Sequence, residues 1–344
     1  MSAVTIPDMA RIIELHGLVP VPVDIQEDGS VLADDVEALI GTKTKAILIA
    51  HLFGNRMPVD EIVSLARGKG LALIEDCAEA FCGRDFTGTK EADISMFSFG
   101  SIKTSTALGS ALLTIRNPAL LSSMREIQNT YPQQSTGNSM KKLLKYCFFK
   151  LLTDSPHVYS AFLAALKVLG IDRNALIRKW SRSFHPDNLL LQIRKRLSAP
   201  GLQLLEQRLC TFQYSSIQER KERLEHFGSQ LPVNSRPVGF GQVHHYYWLC
   251  PVRVPDPHEL IKILYQEGFD AADGGTSLAV ISAEGYSDPQ RAHSMMGSIV
   301  YIPVDHDYRD DVWLKLASLI RRHCERFGGD QTDTRQVTSI KLEE

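Results

Sequence analysis

The sequence has almost no surplus of either charge: 38 lysines and arginines stand against 40 aspartates and glutamates. Such a chain casts no long-range field favouring nucleic acid over a small molecule, so no nucleic-acid partner is expected. Paired cysteines are also missing. Cys77, Cys82, Cys147, Cys210, Cys250 and Cys324 are scattered without a CxxC spacing, which removes the usual zinc and dithiol signatures, and no metal site is expected. The start, Met1-Ser2-Ala3-Val4-Thr5-Ile6-Pro7, lacks the basic residues and apolar core of a secretory signal, so a cytoplasmic location is the expectation. No apolar run reaches the ~20 residues of a membrane-spanning helix. The nearest candidate, Leu143 to Gly170, is interrupted by Lys145, Lys150, Asp154 and Lys167; it reads as a helical insert packed on the protein, with no membrane partner expected and surface membrane contact the minor alternative.

What is present is globular in character: 344 residues, 44% hydrophobic and 23% charged, enough for two domains. Through the first 130 residues, amphipathic helical patterns alternate with short apolar runs, the pattern of helices flanking a largely parallel, buried sheet. Pro7 suits a helix start. Leu32, Val36, Leu39 and Ile40 share a helical face behind Asp34 and Asp35. Ala46 to Ala50 reads as a buried strand, followed by a turn at His51 to Asn55 and a helix opened by Pro58, striped by Val59, Ile62, Val63 and Ala66, and ended by Gly68 and Gly70. Further strands are expected at Leu71 to Ile74, ending in Glu75-Asp76, then at Ile94 to Phe99 and Ser110 to Ile115.

From about Tyr131 to Arg208 the composition turns helical and cationic, as in an insert or bridging segment. An α/β pattern then resumes: strand Tyr246 to Val254, helix Pro257 to Gln266, strand Ile299 to Val304, and a final helix using Val312, Leu316, Leu319 and Ile320. The expected organisation is therefore an α/β domain at 1–130, a helical insert at 131–208, a smaller α/β domain at 209–329 and a disordered polar tail at 330–344.

In open α/β sheets ligands collect beyond the strand ends. Asp76 closes one strand, Ser98 stands near the end of another, and Lys103 follows five residues later. An amine, a carboxylate and a hydroxyl there are the groups that a pyridoxal-phosphate protein needs for covalent attachment, the ring nitrogen and the phosphate. Pattern alone also admits a solvated loop lysine and a turn-capping aspartate. His244 and His245, adjacent on an expected strand, point to opposite faces and suit a structural or substrate-edge role better than a shared metal. Asp305-His306-Asp307 reads as a solvated turn in preference to a cation-binding cluster, and Gly274 to Ser277 as a plain turn in preference to a loop shaping a substrate entrance.

Three ordered segments sharpen this. His51-Leu52-Phe53-Gly54, Leu73-Ile74-Glu75-Asp76-Cys77-Ala78-Glu79-Ala80 and Met96-Phe97-Ser98-Phe99-Gly100-Ser101-Ile102-Lys103 resemble the DegT/StrS sugar aminotransferases in order and spacing. The likeness continues through Gly109 to Thr114, His245 to Trp248, Glu267 to Asp270 and Val300 to Val304. It implies the aspartate aminotransferase-like, fold type I architecture: a three-layer α/β/α large domain, here without its first segment, and a smaller C-terminal α/β domain. It implies pyridoxal 5'-phosphate as cofactor, with Lys103 as the catalytic Schiff-base lysine, Asp76 on the pyridine nitrogen and Ser98 on the phosphate. Glu79 takes the place of a residue, commonly Gln or His, near the ring and its 3'-oxygen. The implied reaction moves an amino group from glutamate to a keto sugar attached to a nucleotide, in a homodimer. With its opening segment absent, such a chain is also compatible with a cofactor-free scaffold, and whether Lys103 holds a cofactor separates the two readings.

Overall fold

The computed structural model describes residues 1–153, 155–170, 188–273, 278–304 and 308–327. The expected tail at 330–344, the Gly274 to Ser277 turn and the Asp305-His306-Asp307 turn lie outside the described residues.

The chain opens with β1 (Val4–Thr5), α1 (Pro7–Leu15) and α2 (Ala33–Glu37). Thr5 belongs to the strand and Ile6 stands at the N-cap position of α1 without a side-chain hydrogen bond, with Pro7 in the first turn, where a missing amide costs no hydrogen bond. The central sheet follows, in the order β2 (Ala46–Ala50), β3 (Ala72–Asp76), β4 (Ile94–Phe99), β5 (Ser110–Ile115). Its first three strands are parallel and β5 is antiparallel to β4. A parallel pair needs a crossover, which α3 (Asp60–Lys69) supplies between β2 and β3. The helix begins two residues after Pro58, buries Ile62, Val63 and Ala66, and ends on Gly70 at φ 65°, the left-handed cap glycine favours.

Next come α4 (Pro118–Asn129), α5 (Thr136–Thr153), α6 (Pro156–Val168), α7 (Leu189–Ile193), α8 (Ala199–Cys210) and α9 (Tyr214–Ser229). The remainder is β6 (Cys250–Arg253), α10 (Pro257–Gln266), β7 (Ala279–Val280), α11 (Gln290–Ser298), β8 (Ile299–Ile302) and α12 (Asp310–Phe327). Strand β6 is shorter than its apolar run because Tyr247 adopts φ 48° just before it, a left-handed conformation that no strand accommodates. Strand β8 stops at Ile302, before Pro303, which lacks the amide a ladder uses.

Two cores organise these elements. One packs Ile47, Ile49, Leu73, Ile62 and Val63 with Ala3 and Val4, and it also takes in Ala292, Met295 and Ile299 from late in the chain. Strand β1 pairs with β7, and the Asp24 carboxylate accepts from the amides of Arg291 and Ala292, satisfying the start of α11 from across the molecule. The other core packs β6 and β8 against α9, α10 and α12 through Leu224, Phe227, Leu260, Leu264, Trp313 and Leu316. Between sheet and helices, Leu205 of α8 packs with Phe97 and Phe99 of β4, fixing the strand that leads to Lys103.

Candidate active site

Side chains alternate along a strand, so neighbouring residues face opposite ways. In β3 and β4, Glu75 lies level with Ser95, and Asp76 with Met96. Ser98, two residues beyond Met96, therefore shares its face with Asp76, while Glu75 and Ser95 occupy the other. Lys103 is brought back by a turn after β4 in which its amide donates to the Gly100 carbonyl. A Cβ placed on Gly100 would lie 3.7 Å from Ser98 Oγ and 3.8 Å from Lys103 Cγ, so hydroxyl and lysine stem flank the same glycine.

The Lys103 ammonium nitrogen lies 3.6 Å from Glu79 Oε1, with both side chains largely buried. It also sits 3.8 Å from the centre of the Trp248 ring, within range of a cation–π attraction. The indole Nε1 of Trp248 donates to the carbonyl of Ile102 at 3.1 Å, tying the ring to the lysine's own turn. Asp76 Oδ1 accepts from the Ala78 amide at 3.0 Å. Burial raises the Asp76 pKa, with that amide, Lys103 and His51 opposing the rise. Glu79 is pushed up to about 7, first by burial, against the charge of Lys103 and a 2.8 Å hydrogen bond donated by the Phe53 amide to Oε2.

Phe53 holds φ 59°, uncommon for a residue with a side chain. The strained turn has a use. A Cβ on the next residue, Gly54, would lie 2.4 Å from the Trp248 amide nitrogen, so only glycine lets the two loops meet. Tyr246 then donates to the Gly54 carbonyl and Leu249 to that of Phe53. In this way the His51 to Gly54 and His245 to Trp248 segments are one contact. Trp248 was not singled out from the sequence; its place in a segment resembling the family was the available signal.

His245 is fully buried, its Nε2 on the Val238 carbonyl and its Nδ1 accepting from the Tyr247 amide, which is a structural role. His244 lies in a turn and is exposed, and His245 makes an isolated antiparallel bridge with Asn55 outside any strand. His51, Glu75 and Cys77 bring potential ligand atoms within 4.8 Å of one another. The imidazole and the carboxylate are otherwise engaged: His51 Nδ1 accepts from the Met57 amide and Nε2 faces Glu75 at 3.3 Å. Burial holds the Cys77 thiol well above its usual pKa.

Residues 1–146 match the DegT/DnrJ/EryC1/StrS aminotransferase family. Among curated relatives, the chain is 42% identical over 98 residues to the GDP-perosamine synthase of Escherichia coli O157:H7, covering 27% of each chain. It is 34% identical over 121 residues to the dTDP-3-amino-3,4,6-trideoxy-alpha-D-glucose transaminase of Micromonospora megalomicea subsp. nigra, covering 34% of this chain and 32% of the relative. These matches span about a quarter to a third of the relatives' own length. The fold likeness reaches further. A DegT DnrJ EryC1 StrS aminotransferase from Brucella abortus superposes with TM-score 0.65 over 96% of this chain and 79% of that one, at 16% identity. The aminotransferase TlmJ from Streptoalloteichus hindustanus does so with TM-score 0.65 over 95% and 79%, also at 16% identity. The fold is therefore that of the DegT-type aminotransferases.

Proposed function

We propose that the protein is a pyridoxal 5'-phosphate-dependent aminotransferase that moves an amino group from an amino acid, glutamate being the implied donor, to a nucleotide-linked keto sugar. The observation that carries this reading is the buried position of the Lys103 amine beside the carboxylate of Glu79 and within the field of Asp76, at the ends of adjoining strands. Two relatives named for making nucleotide-linked amino sugars support the substrate class.

The residues present suit the cofactor. Lys103 would hold it covalently, Asp76 would meet its ring nitrogen, Ser98 its phosphate and Glu79 the ring edge. Bound there, the cofactor supplies an electron sink for the bond broken at the amino-bearing carbon. Lys103, an amine on a flexible stem, can take that proton and return it. Trp248 and Glu79 hold the amine when it is free. A cation beside Asp76 would restore the charge that burial disfavours, so the site is poised for a cationic partner. Glu79, with a pKa near neutrality, can present either a proton or a charge to the edge of the site.

Purified protein given pyridoxal phosphate is expected to gain a near-visible absorbance band that glutamate bleaches and that Lys103→Ala abolishes. Absence of the band, or its persistence in Lys103→Ala, would leave the scaffold reading in its place.

A further inference from the structure

Helix α5 (Thr136–Thr153) is anchored on one side and bare on the other. Leu152 is buried on the protein side, and Ser139 Oγ meets Ser198 Oγ, the cap of α8, at 2.7 Å. Outward, Met140, Leu144, Cys147, Phe148 and Leu151 follow one another at helical spacing along a single stripe. Leu144 is 62% exposed, Phe148 57% and Leu151 73%, values far from those of a covered helix face. The neighbouring helix α6 ends on Val168, 87% exposed, and Leu169 follows at 69%.

The charge around this stripe has one sign. Lys141, Lys145 and Lys150 are exposed on α5 beside the stripe, while Lys142 reaches back towards Gly109, and between Tyr131 and Gly170 five lysines stand against the single acidic residue Asp154. The chain as a whole carries −2, so the cationic character is local. Lysine is depleted from the cores of protein–protein interfaces. An apolar stripe bordered by lysines is instead the composition of helices that lie in the plane of a membrane surface, apolar face in the acyl boundary and ammonium groups among anionic headgroups. None of the helices among the described residues is long and apolar enough to cross a membrane, and an 18-residue helix lying flat would present roughly 27 Å of contact.

We propose that α5, together with the exposed end of α6, docks this protein onto an anionic phospholipid surface. The proposal goes beyond the aminotransferase reading and does not require it, because the docking face shares no residue with the Lys103 site.

The test is co-flotation of the full chain with vesicles. With equal parts phosphatidylglycerol and phosphatidylcholine, binding is expected to exceed that to phosphatidylcholine alone by about tenfold or more. Raising salt to about 1 M, where the screening length is about 3 Å, should remove most of this difference. Replacing Leu144, Phe148 and Leu151 together by Ser should abolish flotation, with near-ultraviolet circular dichroism reporting the fold. If that variant misfolds, Lys141→Glu with Lys145→Glu should weaken anionic-vesicle binding at least about tenfold by itself. Equal binding to both vesicle types, or binding to neither, would overturn the proposal. So would sedimentation equilibrium showing a dimer that the serine variant dissociates while vesicles capture nothing, since a second copy would then cover the face.

Discussion

Glu75 and Asp76 are the same kind of group, one residue apart on one strand, and they meet opposite surroundings. The Glu75 carboxylate is fully buried and saturated: Ser95 Oγ donates at 2.6 Å, the Thr89 amide at 2.8 Å and the Thr89 hydroxyl at 2.5 Å, with His51 at 3.3 Å. Burial alone would raise its pKa, but these hydrogen bonds outweigh it and bring the pKa down to about 2. Even the backbone makes room, since a Cβ on Gly88 would lie 2.0 Å from Ser95 Oγ. On the other face, Asp76 is also buried, yet its carboxylate accepts from the Ala78 amide alone among the hydrogen bonds described for that side chain, and burial raises its pKa. A carboxylate whose bonds are all made holds structure. One left short of partners beside a lysine is prepared for a ligand.

The comparison can be broken in three places. Asp76→Asn is expected to lower cofactor-dependent turnover by about a thousandfold, as loss of one preorganised charge contact at a reacting centre does. Its urea midpoint should stay level or rise, because a poorly compensated buried charge is removed. Glu75→Gln should do the reverse: about 3 kcal/mol less stable in urea unfolding, with the absorbance band retained in the folded fraction. A Glu75→Gln variant of normal stability that lost the band would invert the assignment of the two faces.

The third and smallest effect concerns Glu79, and its sign opposes that of Glu75. Glu75 has its native pKa below the usual 4.5, so its contribution is present above that value and is lost as pH falls towards 2. Glu79 has its native pKa raised to about 7, so the native state holds the extra proton between 4.5 and 7, and stability falls as pH rises through that window. Glu79→Gln should therefore be more stable than the unaltered protein by about 2 kcal/mol at pH 8, the gap closing near pH 4. Denaturant melts across this range check it; a gap that widens towards acid would contradict the assigned direction.

Much of the framework is legible in the chain. The strands Ala46–Ala50, Ile94–Phe99 and Ser110–Ile115 and the helix Pro257–Gln266 have the bounds their apolar patterns predict. Asp76, Ser98 and Lys103 stand out because strand ends in an α/β sheet face ligands and because their segments resemble one family. Trp248 could not be placed in the same way. It reaches Lys103 only through the left-handed Phe53 turn and the close approach at Gly54, a contact between segments nearly two hundred residues apart in the chain. The length of β6 was hidden for the same reason, since Tyr247 leaves the strand conformation to make that contact.

Local periodicity, turn chemistry and residue type were sufficient to determine the elements of this protein and the kinds of reactive group it carries, because each depends on neighbours within a few residues. Only the folded chain decided which of two adjacent carboxylates is saturated, what rests on the lysine and which apolar helix face stays bare. Burial, hydrogen-bond satisfaction and charge shifts are sums over atoms brought together from distant positions, and no one-dimensional pattern contains them.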